Sequence, residues 1–423
     1  MEYNPSRSFA EQLDRRDPLA SSRRSFVITD PGLVYLDGNS LGRLTHASLE
    51  RVRQVAEQEW GTGLIRGWNE NWWEAPIRIG EKIAGLVGAA AGQMVACDTV
   101  SVNLFKLASA ALTLRPERTR IVTDTLNFPS DLYILQGLVR SLGSQHTILS
   151  FGSPDGDITP DLDALAAAID DSTALLTLSH VTFKSGYLYD MAAVTELAHR
   201  HGALVVWDLS HSAGAVPVAL DACSADFAIG CTYKYLNGGP GAPAFVYVRK
   251  ELQEQVVSPI CGWWGQNAPF AFGLDYTPVP GVARFLTGSQ PILSLLAMEA
   301  ALDPLLEAGL ESLRAKSLLL SEYLIHLSDT LLAPLGFRLG SPRIPERRGS
   351  HISLRHPEGY RINRTLIEEM NVLPDFREPD NLRLGLTPLY TSFSEVWEGV
   401  ERIRQAVAEK RYEKYPAQRL TVT

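Results

Sequence analysis

Cysteine, lysine and long apolar runs are all scarce in this chain, and the want of cysteines and of long apolar runs each removes a class of function. Only four cysteines occur in 423 residues. Cys97, Cys223, Cys231 and Cys261 show no C-x-x-C spacing and have few histidines near them, which indicates neither a zinc centre nor a disulfide framework. No metal is expected, and the thiols read as reduced, in a cytoplasmic protein. No apolar stretch reaches the length of a membrane span without a charged or polar break. The segment from Glu2 to Arg24 is charged and polar and lacks the apolar centre of a signal peptide, so neither a membrane partner nor targeting elsewhere is expected. Positive charge is in short supply too. The formal net charge is -9 and the isoelectric point is near 5.6, and arginines gather only in short groups such as Arg15-Arg16, Arg23-Arg24 and Arg347-Arg348. With no basic stripe to neutralise phosphates, a nucleic-acid partner is not expected.

What is present describes an ordinary globular protein: 45% of residues are hydrophobic and 21% charged, and the length leaves room for two domains. Eight lysines stand against thirty-one arginines, so the place of each lysine is informative. Lys234 lies in Cys231-Thr232-Tyr233-Lys234-Tyr235-Leu236-Asn237-Gly238-Gly239-Pro240-Gly241, at the end of a short apolar strand and before a run of glycines. Upstream, Ala203-Leu204-Val205-Val206-Trp207 ends in Asp208, and His211 follows within one turn. A buried strand thereby delivers a carboxylate at its carboxyl end, into the crevice that the lysine faces. An amine nucleophile paired with such a carboxylate is what pyridoxal phosphate chemistry requires: the amine condenses with the aldehyde and the acid keeps the pyridinium nitrogen protonated. A lysine after a strand is ordinarily a solvated surface group. Lys82, Lys250, Lys316 and Lys410 are expected on polar helical faces or loops, and Lys184 in a turn before Gly186 without a nearby strand-end acid.

Taken in order, the chain begins with an arm and a short helix over 8–16, then a strand into the turn Val34-Tyr35-Leu36-Asp37-Gly38-Asn39-Ser40-Leu41-Gly42. A helix over 46–60 follows, and then a loop to Trp73; the stretch from Trp60 to Trp73 holds four of the eight tryptophans, whose rings suit an interface, a pocket wall or plain core filling. A helix is predicted over 81–91 and another from about Val100, where unpaired backbone N–H groups make Ser101 either a phosphate ligand or a helix cap. Leu104, Leu107, Ala108, Ala111 and Leu112 then repeat at helical spacing as a core face. From Thr119 strands alternate with helices. Continuously apolar strands imply a largely parallel wound sheet covered on both faces, with ligands at the strands' carboxyl ends. Asn127-Phe128-Pro129-Ser130-Asp131 and Ser179-His180 fall at such ends, and Phe128 can stack on a bound ring or pack within its loop. The turn-rich segment over 259–287, with Cys261-Gly262-Trp263-Trp264-Gly265, is long enough to be functional. A long helical bridge, capped by Gly288-Ser289-Gln290-Pro291 and reaching to about Leu332, leads to a smaller part with strands near 337–339, 351–354 and 382–386 and helices near 364–370 and 393–409.

Leu36 to Gly42, Ser101-Val102-Asn103-Leu104, Phe128-Pro129-Ser130-Asp131, Trp207-Asp208-Leu209-Ser210-His211-Ser212-Ala213-Gly214, the lysine segment, and Arg383 with Pro388-Leu389-Tyr390 together resemble the kynureninases, pyridoxal phosphate enzymes of the aspartate-aminotransferase fold group. The resemblance runs through most of the chain. It implies an α/β fold-type-I enzyme: an arm and part of the small domain over 1–43, a large cofactor-binding domain with a mostly parallel wound sheet over 44–288, and a bridging helix with a small α+β domain over 289–423. It also implies that Val100, Ser101, Tyr233, Trp263 and Ser289 hold the cofactor phosphate, the last two partly from a neighbouring subunit of a homodimer. Phe128 would stack on the ring, within a cofactor-binding run that includes Pro129 and Ser130. Asp131, Asp208 and His211 would surround the polar edge of the ring, and Ser179 would lie beside it. On the substrate side it implies Ser40, Trp68 and Arg383, the arginine gripping a carboxylate. The implied reaction is hydrolysis of L-kynurenine, or 3-hydroxykynurenine, to anthranilate, or 3-hydroxyanthranilate, and L-alanine in tryptophan catabolism, with Lys234 as the α-proton base and Tyr233 passing protons at the side-chain carbonyl.

Relatives on one fold run different reactions. A cysteine desulfurase needs a thiol on a loop well beyond the lysine, and the last cysteine here is Cys261. An aminotransferase would need a keto acid for a second half-reaction. A non-catalytic scaffold on the same fold would be expected to have lost Lys234 or Asp208, and both are present.

Overall fold

The computed structural model describes residues 3–143 and 145–418. Its strands are β1 (Val34–Tyr35), β2 (Met94–Ala96), β3 (Arg120–Asp124), β4 (Thr147–Phe151), β5 (Thr173–Ser179), β6 (Leu204–Asp208), β7 (Phe227–Gly230), β8 (Phe245–Val248), β9 (Arg338–Leu339), β10 (His351–Arg355), β11 (Val372–Leu373), β12 (Asp375–Arg377) and β13 (Asn381–Gly385). Seven of them form one sheet in the order β2-β8-β7-β6-β5-β3-β4. Strands β3 to β7 run parallel, and β8 is antiparallel to both of its neighbours.

The apolar runs are buried because the pleat sends successive side chains to opposite faces, each covered by helices. Leu175, Val206 and Ile229 join one core with Leu104, Leu107, Ala108 and Ala111 of the helix Val100–Leu114. Leu176, Val205, Trp207 and Ala228 join a second core on the other face. Edge strand β4 is largely exposed, as an end of the sheet must be.

Both chain ends build a smaller unit. Strands β12-β13-β10-β9 form an antiparallel sheet, and β1 pairs in parallel with β11. Ala10, Leu13, Val34 and Leu36 share a core with Leu324, Leu354, Leu384 and Val400. The long helical bridge expected from the sequence is divided into Ile292–Ala301, Asp303–Ala308 and Leu310–Leu327. Pro304 lies in the first turn of the middle piece, and Gly309 adopts a left-handed φ of 73° between the second and third. Leu295, Leu296 and Leu313 pack with the large sheet, whereas Leu320 and Leu324 pack with the small one, so the change of partner falls inside the third helix.

Two further expectations are corrected. The helix predicted over 81–91 is Ala75–Leu86, with Pro76 in its first turn and Gly88 in a left-handed φ of 63° just after it; proline pre-sets a helix start, and glycine marks the stop. Lys316 does not lie on a polar face. It is buried, 2.7 Å from Asp17 Oδ2, and donates to the Pro388 carbonyl at 2.6 Å.

Candidate active site

The carboxyl ends of β3, β5 and β6 and the loop after β7 open on one pocket. Asp208 closes β6 and is buried there, its Oδ1 accepting the Ser210 backbone N–H at 2.7 Å. The loop that carries Lys234 is held by its own backbone: Gly238 N–H donates to the Thr232 carbonyl and Asn237 N–H to the Lys234 carbonyl, both at 2.9 Å. Lys234 and Asp208 line the same pocket. The turn after β1 docks on this loop, with Gly42 N–H donating to the Tyr233 carbonyl at 2.7 Å. A Cβ at Gly42 would stand 2.3 Å from the Lys234 carbonyl oxygen, so only glycine permits that approach.

Lys234 Nζ lies 3.0 Å from His211 Nε2. Burial, then the charge of Lys234, hold the imidazole well below its ordinary range, so it is neutral. Asp131, in the first turn of the helix Pro129–Leu142, is buried against Asp208. Burial, then the Asp208 charge, push its carboxyl well above the usual range, with Lys234 opposing. Two acids so placed do not both ionise readily. The Cys231 sulfur and then burial raise the Tyr233 phenol, which therefore keeps its proton at neutral pH.

At the other end of the pocket two helix starts converge. Thr99 caps the helix Val100–Leu114 by accepting the Val102 N–H, which leaves Ser101 free of that duty. Its hydroxyl meets the Ser130 hydroxyl, from the start of the helix Pro129–Leu142, at 3.2 Å. Two hydroxyls at two positive helix ends make an anion cradle. Phe128 stands over the pocket 45% exposed, edge-on to Phe183 at 5.3 Å. Pyridoxal phosphate needs a cradle for its phosphate, an amine for its aldehyde and a buried acid for its ring nitrogen; the residues present fit all three.

Ser179 lines the pocket from the end of β5, its backbone N–H donating to Asn127 Oδ1 at 2.6 Å. Ser40 and Arg383 line it from the small unit. Arg383 Nε donates to Asp375 Oδ1 at 2.9 Å, and its Nη2 donates to Asp375 Oδ2 and, at 3.0 Å, to Ser40 Oγ.

Not every expected residue arrives here within one chain. Pro129 is the first residue of its helix, beside the lining but not in it. Trp68 packs edge-on against Trp263 and Trp264, at 5.6 and 5.1 Å. Trp264 is buried at 3% exposure while Trp263 is 37% exposed, so Trp263 is the ring of the pair left at the surface. Ser289 is exposed. Lys184 is engaged elsewhere, 3.0 Å from Asp157 Oδ2. Sequence reasoning did not single out Phe183, Ser210 and Arg377, which also line the pocket. Ser210 had a signal in its place between Asp208 and His211, whereas Arg377 lies on a three-residue strand with no pattern to mark it.

Residues 313–403 match the family described as the kynureninase C-terminal domain. The kynureninase of Pseudomonas fluorescens is 47% identical over 403 residues, 94% of each chain. Among solved structures, a cysteine desulfurase from Thermococcus onnurineus superimposes with a TM-score of 0.75 at 18% identity, over 94% of this chain and 98% of that one. A variant enzyme with glycine linked covalently to its pyridoxal phosphate superimposes with a TM-score of 0.76 at 18% identity, over 88% of this chain and 97% of that one. At that identity these two likenesses speak for the fold, a fold-type-I architecture. The identity to the Pseudomonas enzyme along nearly the whole chain speaks for more: this chain belongs to the kynureninase family.

Proposed function

We propose that this chain is a pyridoxal-phosphate-dependent hydrolase that cleaves L-kynurenine to anthranilate and L-alanine, and 3-hydroxykynurenine in the same way. The observation that carries the reading is the joining of Lys234, Asp208 and the Ser101–Ser130 cradle in one pocket, in a chain 46–47% identical to kynureninases over 94% of its length. When bound, pyridoxal phosphate supplies an aldehyde for amines and a ring that withdraws electrons from the substrate's α-carbon. Val100, Ser101 and Tyr233 would hold its phosphate, with Ser130 beside them, Phe128 would cover its ring, and Asp208 would keep a proton on the ring nitrogen.

Arg383 takes the substrate's α-carboxylate. Lys234, once its amine is free, removes the α-proton, and neutral His211 beside it accepts a lysine N–H and directs the amine. Water then adds to the side-chain carbonyl. Tyr233, which keeps its phenolic proton, gives and takes back protons there, help worth about 10² to 10⁴ in rate. In the balance, the bond between the β-carbon and the acyl carbon breaks, the hydroxyl of water stays on the acyl carbon as anthranilate, a proton goes to the β-carbon, and a proton returned to the α-carbon completes L-alanine.

The homodimer belongs to the same reading. Trp60, Ile65, Phe270, Phe272 and Leu274 are large, apolar and exposed, side chains suited to burial against a second copy. Ser289 and Trp263 lie on the chain's surface, where a second copy can use them, and sedimentation at assay concentration checks this. Among the described residues no helix is long and apolar enough to cross a membrane, and the working compartment proposed is the cytoplasm.

The reaction is tested by incubating the holoenzyme with L-kynurenine and no keto acid. Anthranilate fluorescence and alanine should rise in equal amounts. Product only on addition of a keto acid would replace this reading with an aminotransferase. A desulfurase has less in its favour, because Cys97 and Cys231 are buried and no cysteine follows Cys261.

A further inference from the structure

Arg383 is built into a cluster that the assignments above do not use. Strands β12 and β13 pair antiparallel with Asp375 directly opposite Arg383, which puts the two side chains on one face of the sheet. The carboxylate meets the guanidinium along one edge, Oδ1 on Nε at 2.9 Å and Oδ2 on Nη2. Ser40 ties into the same corner: its hydroxyl donates to Asp375 Oδ2 at 2.8 Å and accepts from Arg383 Nη2 at 3.0 Å. Nη1 donates to the Phe183 carbonyl at 2.5 Å. A guanidinium has five N–H donors, so these contacts leave one, on Nη1, for a ligand.

Charge points the same way. Arg377 Nη2 lies 2.9 Å from Asp375 Oδ2, and its Nε is buried without a hydrogen-bond partner. Asp37 adjoins Asp375; burial, then the Asp375 charge, push its carboxyl up to about 7. Well below neutrality the two acids therefore carry little more than one negative charge against two guanidinium groups. A buried surplus cation costs free energy until an anion meets it.

We propose that Asp375 is a positioning residue for the substrate carboxylate: by holding the Nε–Nη2 edge of Arg383 it turns the Nη1–Nη2 edge to the pocket, while Arg377, 2.9 Å from the same carboxylate, sets a second guanidinium beside it. This rests on the assignment of Arg383 to the substrate carboxylate. Ser40 then yields its place on Nη2 when the carboxylate arrives, and a fork locked on one edge meets a carboxylate with two parallel hydrogen bonds on the other.

The test compares Asp375→Asn, Asp375→Glu, Arg377→Gln and Arg383→Lys holoenzymes by steady-state kinetics with L-kynurenine, cofactor absorbance and thermal melting. Asp375→Asn is expected to raise KM about tenfold or more, with kcat within about threefold and the cofactor absorbance unchanged. Asp375→Glu, which keeps the charge but moves it by one methylene, should fall between Asp375→Asn and the wild type. Arg377→Gln should also raise KM about tenfold. A folded Asp375→Asn protein with wild-type KM overturns the proposal. Should that variant fail to fold, Asp375→Glu decides: normal melting with unchanged KM overturns it, and normal melting with raised KM supports it. Arg383→Lys separates the two assignments. An unchanged KM there removes Arg383 from the carboxylate, whereas a raised KM there beside an unaltered Asp375→Asn removes the positioning role alone.

Discussion

Lys234 Nζ lies 3.0 Å from His211 Nε2, an amine against an imidazole that burial keeps neutral. The pair orients the amine toward the pocket. Among the described residues the other lysines are committed or distant: Lys106 is buried on Asp98 at 2.7 Å, Lys316 on Asp17 at 2.7 Å, and Lys184 pairs with Asp157 at 3.0 Å. None of the three lines the pocket.

Lys234→Ala should therefore purify without the visible absorbance that borohydride removes irreversibly, and should not turn over L-kynurenine. Retention of a borohydride-reducible absorbance would mean that another amine reaches the cofactor, and would end the assignment.

Asp208→Asn should fold normally, since its Oδ1 contact to the Ser210 N–H can be kept by an amide oxygen. The amide carries no charge to hold a proton on the ring nitrogen, so kcat should fall roughly a hundredfold or more. Near-normal turnover with bound cofactor would refute the role.

The strand-end chemistry was legible in the sequence because it is local. Asp208 closes a short apolar strand and Lys234 follows another, four residues past its end at Gly230, and the fold class follows from the alternation of such runs with helices. The tertiary pairings were not legible. Asp375 meets Ser40 across 335 residues, and Lys106 and Lys316 owe their burial to acids that sequence spacing does not announce. Strands of two or three residues, such as β2 and β12, carry too little alternation to be read. Trp68, expected at the site, packs instead on Trp263 and Trp264, while Trp263 and Ser289, expected partly from a neighbouring subunit, lie outside the pocket of a single chain.

Acid should destabilise the fold through its buried histidines. Burial lowers His180 to about 4 and His351 to about 3, both below the value near 6.5 of an unfolded chain. The unfolded state then binds more protons below 6.5, so their stabilising contribution is complete above 6.5 and is lost as pH falls toward 4. His180 alone contributes on the order of 3 kcal/mol over that range. Denaturant melts from pH 7.5 to 4.5 should show this loss, and His180→Gln should have a flatter slope. An equal slope in that variant would contradict it.

Tyr233 separates proton transfer from cofactor binding. Its phenol is raised by the Cys231 sulfur and by burial, so at neutral pH it is an acid with a proton to give. It stands beside Lys234 in the pocket, and its backbone carbonyl anchors Gly42. Tyr233→Phe keeps the ring and the carbonyl contact and removes only the hydroxyl. Cofactor absorbance and melting temperature should stay near wild type, while anthranilate formation falls by about a hundredfold. Because the loss should lie at the side-chain carbonyl, exchange of the α-proton of L-alanine with solvent deuterium, followed by NMR, should survive in the variant. If exchange falls together with anthranilate formation, Tyr233 acts at the α-carbon or on the cofactor itself, and the role at the carbonyl is wrong.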